Sequence, residues 1–273
     1  MEIGIIHLTD LHITKDTNLS DKINSLCQAI KNDLSTINKR YLVISGDITN
    51  IGREEEYENA EKIILKIKTE LQISKIILVP GNHDCNFDND TQLRRNTISA
   101  LDYDVLGEDG SIISLSLGVQ KDFWKFYKKF NDLPNEKISY QIIDKFNGKE
   151  VCFHCFNTAW MSKKKENPGN LFFPVNLINK HENKYSLNVS VLHHPLNWFS
   201  PNTKKNNKNE FQDYLDNISS LKLIGHEHES KSIKRKNLDL NTEALEFSGQ
   251  IFNNNSTEDS GLQVIRLCIN TRK

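Results

Sequence analysis

Lys75-Ile76-Ile77-Leu78-Val79-Pro80-Gly81-Asn82-His83-Asp84 is the stretch that decides the fold. Its first part has the apolar, β-branched character of a buried strand. Pro80 and Gly81 end this strand and turn the chain. Three polar side chains that can bind metal or transfer a proton follow directly. Since open α/β sheets keep their functional sites at the carboxyl ends of strands, the stretch predicts chemistry at a sheet edge.

Two strand–helix units precede this stretch and indicate the fold class. The segments 3–8 and 41–44 are apolar enough to be buried strands. Apolar residues at helical spacing predict one helix that begins near Ser20, its expected N-cap, and another between Arg53 and Leu71. The resulting β-α-β-α-β order predicts an α/β fold with a parallel sheet.

The alternation of strands and helices breaks between about residues 85 and 135. We interpret this stretch as a helical insertion beside the site, within a single domain that covers residues 1–273. Strands are predicted on both sides of a turn at Asn147-Gly148. The polar stretch from Asn202 to Asn209 is expected to be a loop. Further strands are predicted at 187–192, 221–224, 230–234, 243–247 and 262–269.

Composition predicts a cytoplasmic protein that does not bind membranes. The chain has 273 residues, of which 37% are hydrophobic, and its mean hydropathy is -0.55. Its net charge of -1 gives no general attraction to nucleic acid. We find no signal peptide and no apolar run of membrane-spanning length. Five cysteines, without the density of a disulfide framework, favour a reduced compartment.

Five predicted strands end in residues that can bind metal ions. Any one of these groups is a weak signal, but five strand ends of this kind are hard to obtain by chance. Their nitrogen and oxygen ligands, without a nearby thiolate, suit divalent ions such as Mn, Fe or Zn. The groups are Asp10-Leu11-His12, Gly46-Asp47-Ile48-Thr49-Asn50, Gly81-Asn82-His83-Asp84, His193-His194-Pro195 and Gly225-His226-Glu227-His228.

These groups resemble, in the same order, the five sequence blocks of the calcineurin-like metallophosphoesterases. The resemblance covers residues 10 to 228. It implies two mixed β-sheets packed as a sandwich and flanked by helices, a four-layer αββα fold, with a centre of two divalent metal ions. Asp47 would be shared between the ions. By the same resemblance, one ion would be held by Asp10, His12, Asp47 and His228, and the other by Asp47, Asn82, His193 and His226.

The resemblance also implies that His83 faces the substrate phosphate. In several branches of the family an Asp at the end of the second block orients this His, but Asn50 occupies that position here. An amide can accept a hydrogen bond without supplying a charge. Two alternatives stay open: Asp84 assists His83, or His83 acts as a hydrogen-bond donor rather than a general acid. Asn157 and His194 are further candidates for contact with substrate or for support of the ligands.

The predicted function is hydrolysis of a phosphodiester, nucleotide or cyclic nucleotide-like, by a hydroxide that bridges the two ions. The His-His-Pro block and the compact insertion resemble the small bacterial phosphodiesterases. One alternative is a DNA or RNA nuclease of the same family, and it predicts that basic clusters converge on the site. Another is an effector or scaffold module with a separate protein partner. The basic clusters are Lys163–Lys165, Lys204–Lys208 and Lys231–Lys236, while Arg94 and Arg95 are expected at the surface.

Overall fold

Two mixed β-sheets pack face to face in the computed structural model, which describes residues 2–101, 110–201, 207–237, 242–253 and 260–269. The first sheet has the strand order β10-β1-β2-β3. Strands β1, β2 and β3 are parallel, with β3 at one edge, and β10 pairs antiparallel with β1 at the other edge. The strands are β1 (Glu2–Leu8), β2 (Arg40–Ser45), β3 (Lys75–Val79) and β10 (Gln263–Cys268).

The second sheet has the strand order β4-β5-β6-β7-β9-β8. Strands β5, β6, β7 and β9 are parallel, and antiparallel hairpins form both edges. Asn147 and Gly148, at φ 50° and 71°, form the predicted turn between the first two strands. The strands are β4 (Ser139–Phe146), β5 (Lys149–Phe156), β6 (Leu187–Leu192), β7 (Leu221–Ile224), β8 (Lys231–Asn237) and β9 (Thr242–Ser248).

Helices cover the outer faces of the sandwich, as the αββα prediction requires. Between the sheets, the rings of Tyr41 and Phe153 meet at a centroid distance of 5.1 Å. On the far side of the second sheet, Phe211 packs against Phe156 at 5.7 Å. The predicted fold class is therefore confirmed. The helices are α1 (Ser20–Asp33), α2 (Glu54–Glu70), α3 (Gln92–Ala100), α4 (Ser111–Ser116), α5 (Lys121–Tyr127) and α6 (Asn207–Ile218).

Two local predictions were wrong. Asn207 to Asn209 begin helix α6 rather than belonging to a loop, while residues 202–206 lie outside the described part of the chain. The helix forms because Phe211, Leu215 and Ile218 share one buried face. Ser20 is the first residue of α1 instead of its N-cap, and Leu19 occupies the cap position without a side-chain hydrogen bond.

The stretch predicted as a helical insertion contains α3, α4 and α5. Helix α5 packs into the main core, because the ring of Phe126 lies 4.9 Å from that of Tyr57 on α2. Residues nearer the start of the stretch, from Asn86 to Ser99, instead line two cavities at the protein surface. Within the described ranges, no helix combines the length and apolarity needed to cross a membrane.

Candidate metal centre

The candidate metal ligands lie together, where strands of the two sheets end side by side. Main-chain hydrogen bonds join these ends: the N–H of Asp10 donates to the carbonyl of Gly46 at 3.1 Å, and the N–H of Gly225 donates to that of His193 at 3.0 Å. The structure thereby brings together every ligand candidate named from the sequence. These are Asp10, His12, Asp47, Asn82, His193, His226 and His228.

One group of donor atoms surrounds Nε2 of His193. This nitrogen lies 3.1 Å from Oδ1 of Asn82, 3.1 Å from Nδ1 of His226 and 3.3 Å from Oδ2 of Asp47. Two ligands of one ion, each about 2.1 Å from it, lie at most about 4.2 Å apart, and all three distances from Nε2 are within this limit. Nδ1 of His193 donates to the carbonyl of Ser45 at 2.8 Å, so Nε2 is the atom that would face an ion. Burial would lower the pKa of His193, but the charge of Asp47 raises it to about 9, so Nε2 carries a proton that an ion would displace.

A second group of donor atoms surrounds Oδ1 of Asp10. This oxygen lies 3.3 Å from Nε2 of His228 and 3.9 Å from Nε2 of His12, and the two imidazole nitrogens are 3.5 Å apart. Oδ1 of Asp10 is buried and has no hydrogen bond of good geometry. Because an unpartnered buried carboxylate oxygen is unfavourable, its setting fits a cation rather than a closed hydrogen-bond network.

Asp47 belongs to both groups. Its carboxylate lies within 4.8 Å of the ligand atoms of Asp10 and His193, and also of those of His12 and His83. The side chain is buried. Burial alone would raise its pKa, but the charge of His193 and the hydrogen bond from it outweigh burial and hold the pKa of Asp47 well below its usual range. Asp47 is therefore an anion at the junction of the two groups.

Burial keeps two of the candidate histidines neutral. It lowers the pKa of His226, an effect that neighbouring His194 and His193 reinforce. It also lowers the pKa of His12, against the opposing charges of Asp47 and Asp10. A neutral imidazole offers the lone pair that metal coordination requires, so both side chains are in the state in which they could bind an ion.

Most of the candidate ligands have a left-handed backbone, which few non-glycine residues adopt. Such conformations cost about 1–3 kcal/mol each and persist where the surrounding structure imposes them. In the described chain, only Gln72 and Asn147 are further non-glycine residues with positive φ. The left-handed ligands are Asp10, His12, Asp47, His226 and His228, with φ of 53°, 44°, 52°, 77° and 59°.

A sequence model of the calcineurin-like phosphoesterase family matches residues 3–230. The chain belongs to this family. The resemblance read from the five blocks is thereby confirmed, although the match does not specify the small bacterial phosphodiesterase branch. The family binds two metal ions, and the two groups of donor atoms in this phosphoesterase fit that number.

Two curated proteins match shorter parts of the phosphoesterase. "Uncharacterized protein R555" of Acanthamoeba polyphaga mimivirus is 32% identical over 92 residues, which are 33% of this chain and 7% of that protein. The "DNA polymerase II small subunit" of Methanothermobacter thermautotrophicus is 29% identical over 105 residues, 31% of this chain and 21% of that subunit. The chain thus matches only a small part of either relative's length.

A solved structure shares the fold over most of the chain. The structure is described as "GAP50 the anchor in the inner membrane complex of Plasmodium". It superposes with a TM-score of 0.51 and 14% identity, covering 97% of this chain and 81% of that one. At this low sequence identity, the similarity supports a shared sandwich fold but not a shared function.

His83 lies beside the two groups, held at both its main chain and its ring. Its N–H donates to Oδ1 of Asp47 at 2.8 Å, and its Nδ1 lies 2.7 Å from the main-chain oxygen of Asn50. A carbonyl oxygen only accepts, so Nδ1 carries the hydrogen and Nε2 is left for a substrate. The ring also meets His12 edge-on at 4.7 Å. The partner of the His83 ring is thus the main-chain carbonyl of Asn50 rather than the side-chain amide of Asn50.

Asp84 clamps two of the sequence blocks together and is not a partner of the His83 ring. Its fully buried carboxylate accepts from the N–H groups of Ile48, Thr49 and Gly81 at 3.2, 3.1 and 2.9 Å. The hydroxyls of Thr49 and Tyr57 also donate to it, at 3.2 and 3.1 Å. Asp84 therefore supports the loops that carry the ligands, a role that was not among the alternatives drawn from the sequence.

The remaining candidates occupy different places. His194 is buried next to His226, at a ring-centroid distance of 4.6 Å, and its Nε2 lies 3.1 Å from Oε2 of Glu166. Asn157 is also buried, and its amide pairs with that of Gln120 through bonds of 2.7 and 3.2 Å. Sequence reasoning missed Glu166, since a lone acid in a polar loop carries no local signal.

A surface cavity of about 380 Å³ opens beside His83. Its wall includes Asn50 and the ligand candidate Asn82. Lys163 and Lys164, from the first of the three basic clusters, form another part. The cavity therefore gives a phosphate-containing ligand access to His83 from a cationic side.

Proposed function

We propose that the chain hydrolyses a phosphodiester, nucleotide or cyclic nucleotide-like, with two divalent ions held by the seven ligand candidates. The convergence of donor atoms supports this proposal most directly. Around Nε2 of His193 the donor distances are 3.1–3.3 Å, and around Oδ1 of Asp10 they are 3.3–3.9 Å. Asp47 lies in both groups and would be the shared ligand.

Two bound ions would neutralise the phosphoryl oxygens and supply a nucleophile near neutral pH. The residues of the chain would then position the substrate and manage its protons. His83 would contact the phosphate through Nε2. Because Nδ1 donates to the carbonyl of Asn50, Nε2 can donate only when the ring carries two protons. Both proposed roles, general acid and hydrogen-bond donor, therefore require the imidazolium form of His83.

The ligand chemistry also limits the metals that we propose. All seven candidates offer nitrogen or oxygen, and no described cysteine belongs to the candidate clusters. Such a set suits Mn, Fe or Zn. Geometry and ligand type do not separate these three ions, so the proposal covers all of them.

A nuclease is the second candidate, and the lysines in the cavity wall favour it. The nuclease hypothesis needs several basic clusters at the site. In the third cluster, however, Lys234 pairs with Glu243 at 2.9 Å and Arg235 with Glu246 at 2.9 Å on the edge hairpin of the second sheet. The middle cluster falls largely at residues 202–206, outside the described ranges. We therefore favour a small substrate over a long polymer.

A role as a scaffold or effector module is the remaining alternative. The names of two similar proteins, a polymerase subunit and a membrane-complex anchor, describe components of assemblies. A scaffold has no need of seven converging donors or of five left-handed residues that carry them. These features favour catalysis, with any protein partner as an addition to it.

The test is a substrate panel with metal analysis. Protein loaded with Mn²⁺ should hydrolyse an aryl phosphodiester faster than the matching monoester, and cyclic nucleotides and single- and double-stranded DNA complete the panel. Asp47→Ala should lose at least about a hundredfold in turnover and bind fewer ions, since it removes the shared ligand. Asp47→Asn should show the same loss without added backbone strain, because asparagine tolerates the left-handed φ of 52° at residue 47.

The control is Asp213→Ala, which removes an exposed carboxylate of helix α6. It should retain wild-type turnover and metal content. Wild-type rates in both Asp47 variants would contradict the two-metal proposal. Wild-type protein that binds metal but hydrolyses no phosphodiester would contradict the proposed reaction.

A further inference from the structure

A second cavity continues the one beside His83. Its volume is about 290 Å³, and its wall shares Phe87, Lys163 and Lys164 with the first cavity. Ile98 and Arg95 of helix α3 form part of its other side. We call the two cavities together the lysine groove. The groove leads away from the candidate metal centre, along the start of the predicted insertion.

The lysine groove has an excess of positive charge on a chain whose net charge is -1. Five cationic and two acidic side chains line it. Arg53 pairs with Asp88 at 2.7 Å, and Arg94 with Asp90 at 3.1 Å. The ammonium groups of the two lysines form no ion pair with any residue in the described ranges, and they are exposed at the groove. They are therefore available to an anionic ligand.

Buried charged groups brace the loop that carries these lysines. Arg94, which is buried rather than at the surface as expected, donates to the carbonyl of Ser162 at 2.9 Å and to that of Ser116 at 2.8 Å. On the other side, Oε1 of Glu166 accepts from the N–H of Lys163 at 3.2 Å, while Oε2 meets His194 at 3.1 Å. The loop is thus fixed to α3 and to His194, the buried neighbour of the ligand candidate His226, so binding an anion needs little ordering of its backbone.

Phe87 adds an apolar surface beside the lysines. Its ring contributes to both cavities, and Ile98 lies in the wall of the second. The guanidinium carbon of Arg94 lies 5.9 Å from the ring centroid and supports it. An aromatic ring next to cationic groups is the combination that binds a base and its phosphate.

We propose that the lysine groove binds a second phosphate and its nucleoside, so that the preferred substrate is a nucleotide with at least one phosphate beyond the one hydrolysed. Lys163 and Lys164 bind the unreactive phosphate, and the base lies against Phe87. This inference rests on the proposed function, because the groove opens beside His83, the residue proposed to contact the phosphate that is hydrolysed.

The test compares substrates that differ by one phosphate. Mn²⁺-loaded protein is assayed with a thymidine dinucleotide, with its 5′- and 3′-phosphorylated forms, and with an aryl phosphodiester that has no second phosphate. Wild-type protein should prefer one phosphorylated form by at least about fivefold in kcat/KM, mainly through KM. The double variant Lys163→Ala/Lys164→Ala should lose this preference and keep its aryl phosphodiester rate within about twofold.

A matched double variant on the β4–β5 hairpin, Lys145→Ala/Lys149→Ala, should keep the preference, because these lysines lie away from the groove. Phe87→Ala should raise KM for every dinucleotide, and an unchanged KM would remove the base from the inference. Turnover of the aryl phosphodiester without preference for a phosphorylated dinucleotide overturns the inference alone. Failure of wild-type protein to turn over any phosphodiester overturns the proposed function instead.

Discussion

The ring of His83 is held by the main-chain oxygen of Asn50, at 2.7 Å from Nδ1. A carboxylate was the expected partner at this position, and its absence left the role of His83 open. A carbonyl fixes the same ring orientation without adding a negative charge. The identity of the side chain at residue 50 is therefore less important to the ring than the path of the backbone there.

Asn50→Ala should keep kcat within about threefold of wild type, because the bond to His83 comes from the main chain. His83→Ala should lower kcat by about 10²–10⁴ and retain metal, as expected for loss of a proton donor. Steady-state kinetics and metal analysis of both variants check this. Equal losses of kcat in the two variants would assign the contact with His83 to the side-chain amide of Asn50. Loss of metal in His83→Ala would make the role of His83 structural.

Gly81→Ala should weaken metal binding by at least about tenfold, although the backbone of Gly81, at φ -104°, suits any residue. A Cβ there would lie 2.1 Å from Oδ1 of Asp47, so the shared ligand would have to move. Calorimetric titration with Mn²⁺ measures the effect. Gly110→Ala is the control, since its Cβ would have no atom within 4 Å. Equal affinities in all three proteins would show that Asp47 can shift freely.

Asp84→Asn should lower the free energy of unfolding by about 3 kcal/mol. Five donors point at the carboxylate, and an amide NH₂ would face some of them with a hydrogen of its own. Urea unfolding at matched metal content measures the loss. Asp88→Asn removes an equal charge from a side chain that is 62% exposed, and it should change stability by less than about 0.5 kcal/mol. A similar loss in both variants would refute the clamp.

His181 should make the fold sensitive to acid. Burial and the neighbouring His154 lower the pKa of His181 from 6.5 to about 4. As the pH falls below 6.5, the unfolded chain takes up the proton first, so stability is lost progressively towards pH 4. When the pH is lowered from about 7.5 to about 5, the free energy of unfolding of His181→Asn should fall by about 1–2 kcal/mol less than that of wild type. Urea unfolding at both pH values measures this difference. An identical loss of stability in both proteins would exclude His181 as a source of the acid sensitivity.

Sequence periodicity was sufficient for the parallel strands and for the position of the ligands at their ends, whereas the two-sheet sandwich was implied by the resemblance to the family. Strands such as 75–79, 187–192 and 221–224 are short apolar runs that end in polar residues, and the structure has them at the same bounds. Because parallel strands end at one edge, the ligands had to come close together. Helix α6 was also readable from Phe211, Leu215 and Ile218, but the asparagine-rich approach to it obscured that pattern.

Contacts that depend on main-chain atoms or on distant segments could not be read from the sequence. The carbonyl of Asn50 is the same group in every residue type, so no side-chain pattern reports its bond to His83. Glu166 reaches His194 across 28 positions of the chain. Arg94 is buried because three carbonyl and carboxylate oxygens from separate segments meet around it, which its own helix does not reveal.

The left-handed backbone of five ligand residues limits how this site could decay during evolution. A descendant that no longer needed its ions would still fold through the same tight bends. We expect Asn and Gly to replace Asp10, His12, Asp47, His226 and His228 first, because these two residues tolerate such bends best. Alanine or a β-branched residue at those positions would mark a chain whose loops have also been rebuilt.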